Sequence, residues 1–291
     1  VIKIYLKPVE DLNHRTWYQL KQGLEKHELV ELVDSKDNAD FIFIHWYGGY
    51  VDGYDLSKVV YFDFNDYQRM NIDSNVRVHR YFKRSMVSHI KEDGTREQIK
   101  YSDFVVPISH ASIMDEFKSE YINHSDREYD LVTTFRGSHN TNKLRVEMQN
   151  YIRGNFNGSS LKTHFGVTPN DSKSSDYDLE YHSLMRNSKM IITMNPLLWE
   201  GDNRLYEAIA SGALVFCDNL YVDIPNKFKD GEHLIYYNAR DYSTLIDKVK
   251  YYLDNSEERE KIAKQGYDFA MKHHTPKSRI DYILKEITNE R

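Results

Sequence analysis

Cysteine is almost missing from this chain. Cys217 is the single copy among 291 residues, so no disulfide can form within the chain, and one thiol suits a reducing compartment. Long apolar runs are lacking too. Nothing approaches the roughly 18 consecutive apolar residues of a membrane-spanning helix. No signal-peptide pattern is visible in the residues given, and the expectation is a cytoplasmic protein without an integral membrane segment. Positive charge is not in surplus. Lys and Arg total 39 against 45 Asp and Glu, a formal net charge of −6. A general nucleic-acid binder needs a basic face for the phosphates, so nucleic acid is not an expected partner. A small phosphate-bearing ligand needs only a local basic pocket and stays open. Internal repeats and low-complexity tracts are also absent.

What is present suits two globular α/β domains. The chain is 40% hydrophobic and 29% charged, enough for a core in each half. Tyr occurs 23 times; its apolar ring and polar tip serve half-buried strands and sugar-binding clefts alike. Short apolar runs alternate with helical patterns. VIKIYL at the start, Leu29 to Val33, Phe41 to Trp46, Val59 to Phe64 and Phe104 to Ile108 read as strands, with Pro107 placing the last at a sheet edge. Trp17, Leu20 and Leu24 share one face of a helix over 16–26. The polar stretch NHSDRE at 123–128 divides the chain into domains 1–125 and 126–291. Beyond it come strands near 129–135, 163–167, 190–194, 213–217 and 233–237. Helices are expected near 142–152, 179–187, 203–211 and 243–253, then one capped by Ser256, then a last one over 277–287 that reaches back to the first domain. Such alternation implies parallel sheets with helices on both faces.

The most informative segment is WEGDNRLYEAIASGALVFCD, residues 199–218. At about 100° per residue, Leu205, Ala208, Ile209 and Gly212 form the buried arc. Arg204, Glu207 and Ser211 form the adjacent one. The helix lies between two strands, so its N-terminus sits near the carboxyl edge of a sheet, where open α/β sheets bind ligands. A carboxylate there can accept hydrogen bonds from both ribose hydroxyls. An Arg in the first turn can pair with phosphate beside free backbone N–H groups. The same spacing also suits a surface ion pair.

This segment resembles the donor-site motif of GT-B glycosyltransferases of the group-1 type, closest to the spore-maturation-protein-like branch, with similarity to exostosin-like enzymes. YFKR at 81–84 and Val106-Pro107 lie in the first half. FRGS at 135–138, Lys143, Arg145, FKDGEH at 228–233 and the closing LDNSEEREKIAKQGYDFAMKHHTPKSRIDYIL follow in the order such enzymes show. The resemblance covers most of 129–287. It implies two Rossmann-like domains facing each other across a cleft, with a nucleotide-sugar, UDP- or GDP-linked, on the C-terminal one. Donor contacts would come from Arg136, Gly137, Ser138, Lys143, Asn203, Arg204, Leu205 and Glu207. It assigns no role to Glu200 and leaves inverting or retaining stereochemistry open.

In the first half, Trp46 and Tyr47, before a Gly pair, could form an acceptor platform or an ordinary turn. Asp63 and Asp66 end a strand and could supply a general base, or cap the turn. His14, His45 and His110 lie near element ends, where structural roles are common. Asp176-Tyr177-Asp178 spells a metal-binding DxD string but precedes a helix, where Asp serves as a cap. His273 and His274 are adjacent and so point apart. No metal or cofactor is expected; the nucleotide-sugar is a co-substrate. The expected function is metal-independent transfer of a hexosyl or pentosyl group to a hydroxyl of a glycan or glycoside. The alternatives are a nucleotide-sugar epimerase of the same architecture and a non-catalytic nucleotide-sugar-binding protein.

Overall fold

The computed structural model describes residues 1–9, 15–73, 75–88, 91–92, 95, 97–111, 120–135, 143–166, 179–195 and 201–289. The N-terminal part contains β1 (Ile2–Leu6), α1 (Arg15–Glu25), β2 (Val30–Leu32), β3 (Phe41–His45), β4 (Val59–Asp63), β5 (Arg80–Lys83) and β6 (Val105–Pro107). The six strands are parallel, in the order β2-β1-β3-β4-β5-β6. β4, VVYFD, is buried at every position. A strand covered on both faces reads as a continuous apolar run rather than an alternation. Pro107 lies in the edge strand, where its missing N–H costs no ladder bond. β5 was not among the expected strands, since RYFK carries a charge at each end.

The second unit opens with seven elements. They are β7 (Tyr129–Thr133), α2 (Lys143–Phe156), β8 (Thr163–Phe165), α3 (Leu179–Arg186), β9 (Ser188–Ile192), α4 (Asn203–Ala210) and β10 (Leu214–Asp218). β11 (Ile235–Tyr237), α5 (Tyr242–Asp254), α6 (Ser256–His273) and α7 (Pro276–Thr288) complete the chain. The order is β11-β10-β9-β7-β8, again parallel. One face packs on α2 and α5 through Met148, Ile152, Leu245 and Val249. The other packs on α3 and α4 through Leu184, Met185, Leu205 and Ile209. α6 touches both clusters, with Ile262 in one and Ala270 in the other.

α7 leaves this second unit and covers the first sheet. Ile280, Ile283, Leu284 and Ile287 form its i, i+3, i+4, i+7 stripe and share a core with Ile4, Leu20, Phe43 and Phe62. Thr275 caps it and Pro276 occupies its first turn. α1 packs directly on α7 at Gly23, where a Cβ would come within 2.7 Å of the Pro276 carbonyl oxygen. The opposite face of the first sheet departs from expectation. Among the described residues it is covered by irregular segments that include Val51, Val78, Val87, Val222 and Ile224, not by helices.

Ser256 is likewise not a cap. It is the first residue of α6, preceded by Asn255, and neither provides a side-chain cap bond. Glu257 and Glu258 in the first turn favour the helix N-terminus instead. Between the sheets, His124–Asp126 form a short 3-10 turn. It is tied to the second unit by Arg127, which donates to the Ser188 and Ser211 carbonyls.

Candidate functional site

In both sheets the strand order reverses beside the first strand of the unit, between β1 and β3 and between β7 and β9. Loops diverge at such points and open a crevice. α1 begins at the first crevice with Arg15, and α4 begins at the second. The two meet. Arg15 Nη1 donates to both carboxylate oxygens of Glu207, at 2.9 and 3.0 Å. Tyr181, on α3, donates its hydroxyl to Glu207 Oε2 at 3.1 Å. The Glu207 side chain is 1% exposed and that of Arg15 is 13% exposed. Burial, then the neighbouring carboxylate, holds the Tyr181 phenol well above its ordinary pKa, so it stays a donor.

Asp202 organises the start of α4. Its Oδ1 accepts from the Leu205 backbone N–H at 3.2 Å, and its Oδ2 accepts from Arg204 at 2.5 Å and Arg145 at 3.4 Å. The two arginines sharing this carboxylate differ. Arg145 is enclosed, donating from Nε to the Met194 carbonyl at 2.9 Å. Burial, with Arg204 adding like charge, lowers its pKa to about 10. Burial is the largest influence on Arg204 and opposes its charge, but Asp202 and Tyr181 together outweigh it and the pKa rises. Arg204 keeps 22% of its side chain exposed, so it can reach a ligand. Asn203 is half-buried beside it, and its Oδ1 has no partner among the described residues. Lys143, first residue of α2, is exposed. Leu205 turns the other way, with its side chain in the core and its N–H held by Asp202. Asp218 accepts from both nitrogens of Asn195, which anchors the chain leading to this segment.

Arg136, Gly137, Ser138, His14, Glu200 and Asp176-Tyr177-Asp178 lie outside the described residues. Phe135, two residues past the end of β7 and next to the first of these, is buried.

Across the crevice, Asp63 is fully buried. Its carboxylate accepts from Lys83 at 2.9 Å, Tyr81 at 2.6 Å, Asn71 at 3.1 Å and the Asn65 backbone at 3.0 Å. Lys83 also donates to the Tyr67 and Arg69 carbonyls, so this buried pair shapes the 64–71 loop. Asp66, on that loop, is 49% exposed. It pairs with Arg84, which also donates to the Phe64 carbonyl and to the Gly201 carbonyl of the second unit at 3.4 Å. Trp46 is half-buried, and the Tyr47 ring lies 3.9 Å from it, 48% exposed. His45 is buried, with its Nε2 2.8 Å from the Thr16 hydroxyl. His110 is buried and stacks on Phe64.

Arg15 and Tyr181 were absent from the sequence reading, and Arg84 entered it only as part of YFKR. Arg15 and Glu207 are 192 positions apart, so no local period links them. The available signal was weak: a helix that opens with Arg at a crevice facing a buried carboxylate.

Residues 145–285 match a family model described as glycosyl transferase-like. Among curated proteins, no sequence match is found. Solved structures do resemble the chain. An alpha-glucosyltransferase in complex with UDP and a 13-mer DNA superposes with a TM-score of 0.63 at 11% identity, covering 99% of this chain and 100% of that one. HepE from Anabaena, in complex with UDP, gives 0.60 at 8% identity, covering 99% and 100%. TarM from S. aureus, in complex with UDP, fondaparinux and alpha-GlcNAc-glycerol, gives 0.55 at 10% identity. That match covers 88% of this chain but only 56% of TarM, so the chain spans little more than half of TarM's length. At such identities the likeness is one of fold, with two Rossmann-like domains of the GT-B class.

Proposed function

We propose that this chain, which has the GT-B fold of group-1 glycosyltransferases and carries the glycosyl transferase-like region at 145–285, moves a sugar from a nucleotide-sugar to a hydroxyl acceptor. The observation that carries the reading is Glu207. It is a buried carboxylate at a strand-order reversal, on a helix whose first turn offers Arg204 and faces the other domain. Its two oxygens suit the two hydroxyls of a ribose. Arg204, Lys143 and the backbone N–H groups at the start of α4 would take the diphosphate, with Arg136, Gly137 and Ser138 beside them. UDP is the first candidate, since the fold neighbours bind it, with GDP next.

The acceptor would lie against Trp46 and Tyr47. Its hydroxyl oxygen bonds to the anomeric carbon as the bond to the diphosphate oxygen breaks, and the nucleoside diphosphate leaves with the electron pair. By an inverting route, the acceptor proton passes to Asp66. Asp66 is the half-exposed carboxylate at the crevice, whereas Asp63 has no surface to offer a substrate. Arg204 and Lys143 supply positive charge at the leaving group, so transfer would proceed without a metal ion. Arg145 supports this array by holding Asp202. One fold neighbour is complexed with DNA, but the net charge of −6 here favours a glycan or glycoside acceptor.

The experiment is incubation with UDP-glucose or a GDP-sugar and a panel of glycoside acceptors. The reading expects nucleoside diphosphate to be released together with a new glycoside. An altered sugar still attached to the nucleotide would indicate the epimerase instead, and binding without turnover would indicate a binding protein.

A further inference from the structure

We infer that Arg15 and the donor ribose compete for Glu207, so that Arg15 is a latch between the two domains that must release this carboxylate before the ribose can bind. The inference rests on the glycosyltransferase reading of the same site. One guanidinium nitrogen, Nη1, contacts both Glu207 oxygens at nearly equal distance. It therefore engages both oxygens, the same two to which a ribose diol would give one hydroxyl each. Tyr181 already occupies a further direction on Oε2. With Tyr181 also on Oε2, Arg15 and a ribose diol claim the same few acceptor positions of one carboxylate. Both come with donors pointing at the carboxylate, so its oxygens stay hydrogen-bonded in either state.

The latch joins the domains because its halves stand on different ones. Arg15 opens α1, whose Gly23 lies against Pro276 and Ile280 of α7. Thr16, the next residue, meets His45 at the end of β3. Arg15 is thus carried by the first domain together with its covering helix. Glu207 is carried by α4, packed in the second domain through Leu205 and Ile209. A guanidinium is charged at every working pH, so acid or base within the physiological range does not release it. The donor does, by supplying two hydroxyls.

A site that its own protein occupies shows an apparent affinity reduced to the unlatched fraction. Removing the arginine should therefore strengthen donor binding. Damage to a merely structural contact would weaken it. The test is calorimetric titration of UDP and GDP into the whole chain, wild type beside Arg15→Met, with Arg15→Gln as a second variant of different polarity. The latch predicts tighter binding of the preferred nucleotide in both variants, by about three- to tenfold. If the methionine variant folds poorly, the glutamine variant alone must show the gain. Unchanged or weaker binding in the folded variants overturns the latch while leaving the glycosyltransferase reading in place. A wild type that binds neither nucleotide overturns both.

Discussion

Asp63 and Asp66 stand three residues apart at the end of one strand, yet the first carboxylate is wholly enclosed by Lys83, Tyr81, Asn71 and a backbone N–H, and the second is half exposed and paired with Arg84. The same residue type therefore does two jobs. Asp63 neutralises a buried lysine and shapes the loop. Asp66 is held on that loop by Arg84, which also donates to the Gly201 carbonyl of the second unit. Asp63→Asn should leave Lys83 uncompensated and cost about 3–5 kcal/mol of stability, read by denaturant titration. Asp66→Asn should cost less stability than that, because Asp66 itself is half exposed although it pairs with the buried Arg84, and should lower kcat by about a hundredfold or more. A reversal of these two phenotypes would place the base elsewhere.

Glu207→Ala should weaken nucleotide binding by about tenfold or more, since hydrogen bonds to a charged group are each worth about 1.5–3 kcal/mol. It also removes the partner of Arg15, so some stability is lost. Titration of UDP into the folded variant reads the first effect, and thermal melting reads the second. Arg204→Met should act differently. It leaves the ribose contact intact and removes charge at the diphosphate, so kcat/KM should fall more for the sugar nucleotide than affinity does for the free nucleoside.

Two histidines make the fold sensitive to acid. His124 donates from Nε2 to the Gly212 carbonyl, and its Nδ1 accepts from Arg259. His274 repeats the arrangement with the Asn226 carbonyl and Arg279. Each ring must be neutral to accept from a guanidinium. Burial, with the adjacent arginine charges adding to it, lowers the His124 pKa to about 4 and holds that of His274 well below its ordinary value. An unfolded histidine takes its proton near pH 6.5, so the unfolded chain binds more protons at lower pH. Stability should thus be full above about pH 6.5 and fall as the pH drops toward 4. His124 alone accounts for about 3 kcal/mol at the end of that range. Denaturant titrations at pH 7, 6 and 5 check the slope, and a flat profile would contradict it.

Gly266 lies inside α6, where alanine would ordinarily stabilise a helix by about 1 kcal/mol. Here a Cβ would stand 2.2 Å from the His233 carbonyl oxygen. Gly266→Ala should therefore destabilise, by about 1–3 kcal/mol or more. Gly23→Ala should do the same at the α1–α7 contact, where the nearest atoms are 2.7 Å away. Thermal melting decides both, and a gain in stability at either position would show that the helices can separate.

Much of the fold was legible because it rests on local periods. The strand runs around Phe41, Val59 and Leu214, the stripe of α1 and the stripe of α7 all repeat at spacings a sequence displays. β5 was not legible, because Lys83 looks like a surface charge until Asp63 is found opposite it. The absence of helices over one face of the first sheet was hidden too, since irregular segments that bury Val51 or Ile224 carry no period. In the site, Glu207 and Arg204 were readable from one helix. Leu205 was assigned to the ligand, although only its backbone lies on that side. Arg15 and Tyr181 converge on Glu207 from other elements, and only the packing of two domains brings them there.

The most direct test of the account is a melting-temperature comparison of the whole chain with UDP-, GDP-, dTDP- and CMP-sugars, with and without EDTA. A ligand bound only by the folded state adds about 2.7 kcal/mol at a hundred times its Kd. The account predicts a rise with UDP- or GDP-sugars that survives EDTA, shrinks for the dTDP-sugar, whose ribose lacks a hydroxyl, and shrinks in Glu207→Ala. No rise with any nucleotide-sugar, or an equal rise in Glu207→Ala, would contradict it.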